Sequence, residues 1–265
     1  MRALLLSAVI FIAAQISSES LGQTAINSEI APQGKLRVAL IGGNPVLVTK
    51  KPDGSLGGVS VDLGKFIAEK LDVQFNPVVY ADPEAYTHSF GRGEWDIAIG
   101  PRRASEAQIV DFSPDFLLVD NIYVAAPGRE FADASQVDRP GIKIAVIKDG
   151  SPEKFLSQTL KSAELVRVSG ERSDAIEALR SGKAHVFGSN AQIVHNVADG
   201  LPGAKIVPGQ FNSVRMAVAF PKGKSSAAQG KIGEIVNQAK ATGLVRKAVE
   251  QAGSKGVRVA PNSPN

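Results

Sequence analysis

The chain has 265 residues, is 43% hydrophobic and 21% charged, carries a formal net charge of +4 and contains no cysteine. This composition belongs to an ordinary globular protein, long enough for one large domain or for two lobes with separate cores. The mildly basic balance suits small anions. No dense Lys/Arg stripe interleaved with aromatics occurs, which argues against a nucleic-acid partner, and the lack of cysteine excludes disulfides, thiol catalysis and Cys-based metal sites.

At the N-terminus Arg2 precedes the apolar run 3–14, and polar residues follow from Gln15. A run of about 12 residues has the length of a signal-peptide core and is short for a membrane span. The expectation is export, with residues 1–25 as signal peptide and cleavage somewhere among the small residues Ala13, Ala14, Ser17, Ser18 and Ser20. No cysteine is present to carry a lipid anchor, so the expected product is a soluble periplasmic protein.

KLRVALIGG at 35–43 reads as a buried strand that ends in a glycine turn. Val61, Leu63, Phe66, Ile67 and Leu71 then mark the apolar face of a helix. FGRGEWDIAIG at 90–100 places glycines after a second helix and before a second buried strand. The same order returns later. IKIAVIKDG at 142–150 is a strand and turn, Phe155, Leu156 and Leu160 mark a helix, and LRSGKAHVFG at 179–188 repeats the glycine followed by a strand. Two β-α-β-α-β copies predict two similar α/β lobes with mainly parallel sheets.

Extended segments at 120–126 and 213–220 pass between the halves, so the lobes are joined twice, as in a two-strand hinge that absorbs motion at element ends. The division expected is 34–124 plus 219–256 for lobe 1 and 125–218 for lobe 2. Helices over 227–241 and 244–252 return to cover lobe 1, and 257–265 is a polar, flexible tail.

In open α/β sheets ligands bind beyond the carboxyl ends of the strands. Four glycine-bearing loops occupy such positions: 42–45, 100–103, 148–152 and 188–190. They nominate Asn44, Gly100, Arg102, Arg103, Gly150, Ser151, Ser189 and Asn190 as ligand-binding residues in a cleft between the lobes. Ser151, Pro152 and Glu153 read as N-cap, first-turn proline and first-turn acid, which serve either ordinary capping or an anion at the helix start. Neighbouring residues of an extended segment face opposite ways, so one of Arg102 and Arg103 points toward the ligand, and Arg102 is preferred. His88, His185 and His195 have no ligand spacing, and neither a G-x-S-x-G elbow nor a P-loop occurs, so no metal, cofactor or catalytic residue is assigned.

GSLGGVSVDL at 54–63, GEWDIAI at 93–99 and VDFS at 110–113 resemble motifs of the family 3 solute-binding proteins, the exported receptors of polar amino-acid ABC transporters. The resemblance spans 35–252. It implies a periplasmic binding protein type II-like fold, closure of two lobes on one small solute, delivery to an inner-membrane ABC permease, a monomeric state and no enzymatic activity.

The resemblance also implies an arginine five residues before the V-D-F aspartate to hold an α-carboxylate, but Glu106 stands there. The second-lobe aspartate that would take the α-ammonium is replaced by Asn190. A small polar or anionic ligand, an amino acid or an organic acid, is therefore expected, with a neighbouring arginine supplying the cation. Two alternatives share the fold: a periplasmic dehydratase resembling the cyclohexadienyl dehydratases, with Glu106 as its acid, and a ligand-sensing module.

Overall fold

The computed structural model describes residues 22–42, 47–81 and 83–262. The expected signal segment up to residue 21 and the candidate Asn44 lie outside the described residues. Helix α1 covers 22–30 and is followed by β1 (Lys35–Ile41), β2 (Thr49–Lys50), β3 (Leu56–Gly57), α2 (Val59–Lys70), β4 (Gln74–Tyr80), α3 (Pro83–His88), β5 (Ile97–Pro101) and β6 (Val110–Phe112). Then come β7 (Leu117–Ala125), β8 (Lys143–Ile147), α4 (Ser151–Thr159), β9 (Glu164–Val168), α5 (Arg172–Arg180), β10 (Val186–Asn190), α6 (Ala191–Asp199) and β11 (Lys205–Ile206). The chain closes with β12 (Asn212–Pro221), α7 (Ser226–Ala241), α8 (Leu244–Ala252) and β13 (Val257–Val259).

The chain divides into two compact units, 1–116 with 217–248 and 261–265, and 117–216 with 249–260. In the first, β1 lies between β4 and β5 with both pairings parallel. In the second, β8 lies between β9 and β10, again parallel on both sides. The repeat in the sequence is thus a repeat of strand order, with the first strand of each copy at the centre. Antiparallel strands complete each sheet: β6 pairs with the last residues of β12 in the first unit, and β7 pairs with β10, β11, β13 and the first residues of β12 in the second.

The central strands are apolar because both faces are covered. Val38, Leu40, Ile97 and Ile99 are fully buried, as are Leu63 and Ile67 of α2 and Ile232, Ile235 and Val236 of α7. Each such side chain stabilises the folded state by about 1.5–3 kcal/mol relative to exposure. Residues 22–25 are exposed, whereas Ile30 and Ala31 are buried. Glu29 accepts hydrogen bonds from the backbone N–H and hydroxyl of Ser225, the residue that caps α7. The folded unit therefore includes α1 from about its middle.

Two expectations are corrected. Ser151 is not the cap of α4: Gly150 occupies that position with extended backbone, and Ser151 is the first helical residue. The segment after Gly256 is not a free tail, since Val257–Val259 pairs with β7 and Arg258 Nε donates to Asp120 Oδ2 at 2.9 Å. Residues 249–260 accordingly belong with the second unit rather than with lobe 1.

Asp138 ties the loop ahead of β8 to the one ahead of β9. Its carboxylate accepts from the backbone N–H groups of Ala163, Ser162 and Lys161 at 2.8–2.9 Å. The Ala163 bond is the largest influence holding its pKa below the usual carboxylate value. A depressed folded-state pKa gives stability that is present above the unfolded value and is lost as pH falls through the folded one. Asp138→Ala should therefore cost about 1–2 kcal/mol at neutral pH, with the gap to the parent closing in acid below about pH 4. Urea denaturation at both pH values measures it, and a gap independent of pH would contradict the assignment.

Candidate functional site

In the second unit β8 and β10 are adjacent and parallel, so their carboxyl-end loops meet at one sheet edge and bring together Gly150, Ser151, Ser189 and Asn190. Asn190 caps α6, its Oδ1 accepting from Ile193 N–H at 3.1 Å. On the next strands Asn121 and Asn212 stand in register with it, forming a row of three asparagines across the sheet. Asn121 is 1% exposed, and its Nδ2 has no partner among the described residues. Ser189 is buried beside this row. Glu153 of α4 accepts from Ser157 and Arg167, which together hold its pKa low, so its charge is already engaged.

In the first unit Gly100, Arg102 and Arg103 lie at the carboxyl end of β5. Gly100 is required there by close approach, because a Cβ would stand 2.6 Å from Tyr86 Oη. Tyr86 is fully buried and packs edge-on to Tyr80 and Phe90, while Phe90 packs edge-on to Trp95. Trp95 Nε1 donates to Ser89 Oγ at 2.8 Å and Ser89 donates to the Tyr86 carbonyl, so the aromatic wall is fixed by hydrogen bonds as well.

The two arginines part company beyond the strand, as alternation along an extended segment requires. Arg102 Nε donates to Asp115 Oδ1 at 2.8 Å and Nη2 donates to the Ser113 carbonyl, with the guanidinium 4.9 Å from the Phe112 ring centroid. Asp115 also receives Lys240, whose Nζ donates to its carbonyl at 3.1 Å and whose pKa is lowered by burial. Arg102 therefore organises the segment that follows β6.

Arg103 is committed on one nitrogen only. Its Nη1 donates to Glu106 Oε1 at 3.0 Å and to Thr87 Oγ1, while Nε and Nη2 make no hydrogen bond among the described residues. A third of its side chain is exposed. Glu106, by contrast, is 4% exposed and its Oε2 has no partner among the described residues. Burial raises the Glu106 pKa against the opposing pull of Arg103. Burial likewise pushes the Tyr86 phenol up.

Reading the sequence missed Asp115, Thr87 and Tyr86. Asp115 follows the V-D-F-S motif by two residues and could have been suspected as a charge partner. Thr87 and Tyr86 sit on a short helix whose placement depends on the aromatic packing, and no local signal marks them. Among the described residues no group of three or more His, Asp or Glu could hold a metal ion, and no helix is long and apolar enough to cross a membrane.

Two α/β units of one strand order, each gathering glycine-bearing polar loops at the carboxyl ends of its parallel strands, define a small-molecule-binding fold of the type II periplasmic-binding kind. Residues 36–254 match the model of the bacterial extracellular solute-binding proteins, family 3, and the chain belongs to that family.

Among curated proteins it is similar to a cyclohexadienyl dehydratase of Pseudomonas aeruginosa, 27% identical over 186 residues that cover 67% of this chain and 68% of that protein. Among solved structures it is similar to an ancestral cationic amino acid solute-binding protein, with a TM-score of 0.62, 20% identity, and coverage of 85% of this chain and 98% of the other. It is also similar to an amino acid ABC transporter substrate-binding protein of Streptococcus pneumoniae bound to L-arginine, with a TM-score of 0.58, 18% identity, and coverage of 86% and 97%. At these identities the solved structures speak for the fold alone.

Proposed function

We propose that the chain is an exported, non-enzymatic solute receptor that delivers a small polar or anionic ligand, an amino acid or an organic acid, to an ABC permease. Membership of the solute-binding family supports the receptor role. The observation that carries the ligand class is Arg103: a partly exposed guanidinium at the carboxyl end of β5, with two nitrogens uncommitted. On this reading Arg103 supplies the charge-assisted contact and Arg102 holds the adjoining loop. Within the second unit the loops of Gly150, Ser151, Ser189 and Asn190 offer neutral donors and acceptors in place of a carboxylate. A ligand without an α-ammonium suits that set, because no anion among these residues would receive one.

A thermal-shift panel of amino acids, dicarboxylates, sulfonates and phosphonates tests the reading. A ligand present at about 100 times its dissociation constant stabilises by about 2.7 kcal/mol, which is roughly 5–11 °C for a chain of this size. A panel in which no anionic compound shifts the transition would contradict it.

A second reading, a dehydratase, is favoured by the buried Glu106, whose raised pKa suits a general acid, and by the 27% identical relative. It requires turnover of prephenate or arogenate that disappears in Glu106→Gln.

A further inference from the structure

The arginine-rich loop is electrically neutral in spite of its appearance. Arg102 is paired with Asp115, and Arg103 is paired with Glu106. The two pairs differ in which partner meets solvent. Glu106 is 4% exposed, whereas a third of Arg103 is exposed and two of its nitrogens have no partner among the described residues. Glu106 is also poorly served as an anion: Oε1 receives one hydrogen bond, from Arg103, and Oε2 receives none. A buried carboxylate usually gathers more than one donor, because each missing hydrogen bond leaves charge unsolvated.

We infer that Glu106 is a specificity-determining residue that competes with the ligand's anionic group for Arg103, so that removing its charge raises the receptor's affinity for anions. The inference rests on the anion-receptor reading given above. Arg103 is the point where the two negative groups conflict. A ligand carboxylate, sulfonate or phosphonate on its free nitrogens would bring a second anion to a guanidinium already neutralised by the buried one. Such a ligand favours the protonated form of Glu106, in which Arg103 is released from its internal ion pair.

Anion binding is therefore accompanied by proton uptake. The other groups facing Glu106 among the described residues do not alter the sign. Tyr86 of α3 is a phenol kept neutral by burial, Tyr80 of β4 acts only through Tyr86, and Thr87 does not titrate. With the Glu106 carboxyl already shifted upward by burial, affinity should rise as the solution is acidified.

The test uses the full chain as parent, Glu106→Gln and Arg103→Met, with succinate, L-glutamate and methylphosphonate as probes, titrated by calorimetry at about pH 7.5 and about pH 5. Circular dichroism on each protein establishes that it is folded. The parent is expected to bind at least one probe about fivefold or more tightly at the lower pH. Glu106→Gln should bind that probe about fivefold or more tightly than the parent at the higher pH, with little further gain on acidification, and Arg103→Met should lose about tenfold or more. Equal or weaker binding by a folded Glu106→Gln, or an unchanged pH dependence in it, overturns the inference while leaving the receptor reading intact, whereas full binding by Arg103→Met overturns the inference together with the placing of the anion on Arg103. No binding of any probe by parent or Glu106→Gln overturns the anion-receptor reading and the inference with it.

Discussion

Asp96→Ala is expected to lower stability by about 3 kcal/mol, the scale found when one member of a buried ion pair is removed. Asp96 is 4% exposed and accepts from Arg37 through three donors: the backbone N–H reaches Oδ2 at 2.8 Å, Nη2 reaches Oδ1 at 2.7 Å, and Nε lies 3.2 Å from both oxygens. The Asp96 N–H returns a bond to the Arg37 carbonyl at 2.9 Å, and Arg37 Nη1 donates to Gly93. The aspartate thereby fastens the start of β1 to the entry of β5, and its hydrogen bond raises the Arg37 pKa further. Asp96→Asn keeps an acceptor and should cost roughly half as much. For a chain of this size 3 kcal/mol corresponds to a fall in Tm of roughly 6–12 °C, and a loss below about 1 kcal/mol in urea would show that the pair is not structural. The motif aspartate at 93–99 is thus explained without a ligand.

Gly256→Ala should be similarly damaging, for a different reason. Gly256 has φ 68°, in the left-handed region, and an added Cβ would lie 2.1 Å from the Cβ of Ala191. Neither side of that contact is a flexible chain end, so Gly256 and the start of α6 must move apart. The shift would disturb the bond from Asp120 N–H to the Gly256 carbonyl at 2.8 Å and the Arg258 contact with Asp120. Left-handed backbone costs an alanine about 1–2 kcal/mol and overpacking adds about 1–3 kcal/mol, for an expected total of about 2–4 kcal/mol. Gly253 is the control. It also has a positive φ, 61°, but nothing lies within 4 Å of its added Cβ, so Gly253→Ala should show only the smaller conformational cost. Equal losses in the two variants would mean that the Ala191 contact relaxes freely. Proteolysis after Lys255 or Arg258 should increase in Gly256→Ala alone.

The repeated β-α-β-α-β pattern was legible because buried parallel strands and amphipathic helices impose strong, local periodicities on the chain. Val38 and Leu40 in β1, and Ile144 and Val146 in β8, are fully buried, as their alternation with helices requires. The short strand β13 was not legible. Val257 and Val259 flank one arginine, a signal too brief to outweigh the prolines that follow, and the strand depends on Asp120, more than a hundred residues away. The cap of α4 was misplaced by one residue because Ser151 and Gly150 both suit that position, and tight packing of Gly150 against the Ile147 carbonyl decides between them. At the candidate site, the sequence located the loop and the conflict at Glu106. It could not rank Arg102 against Arg103, since that depends on Asp115 and Thr87, which reach the two side chains from separate elements.

The receptor account is tested most directly by following one ligand through a binding cycle. The anion that gives the largest thermal shift is bound to the purified chain, its stoichiometry is measured by calorimetry, and the compound is then released by denaturation and identified. The account predicts one equivalent bound and recovery of the compound chemically unchanged, with prephenate and arogenate also recovered intact after prolonged incubation. Formation of a dehydrated product from any of them, abolished in Glu106→Gln, would contradict it.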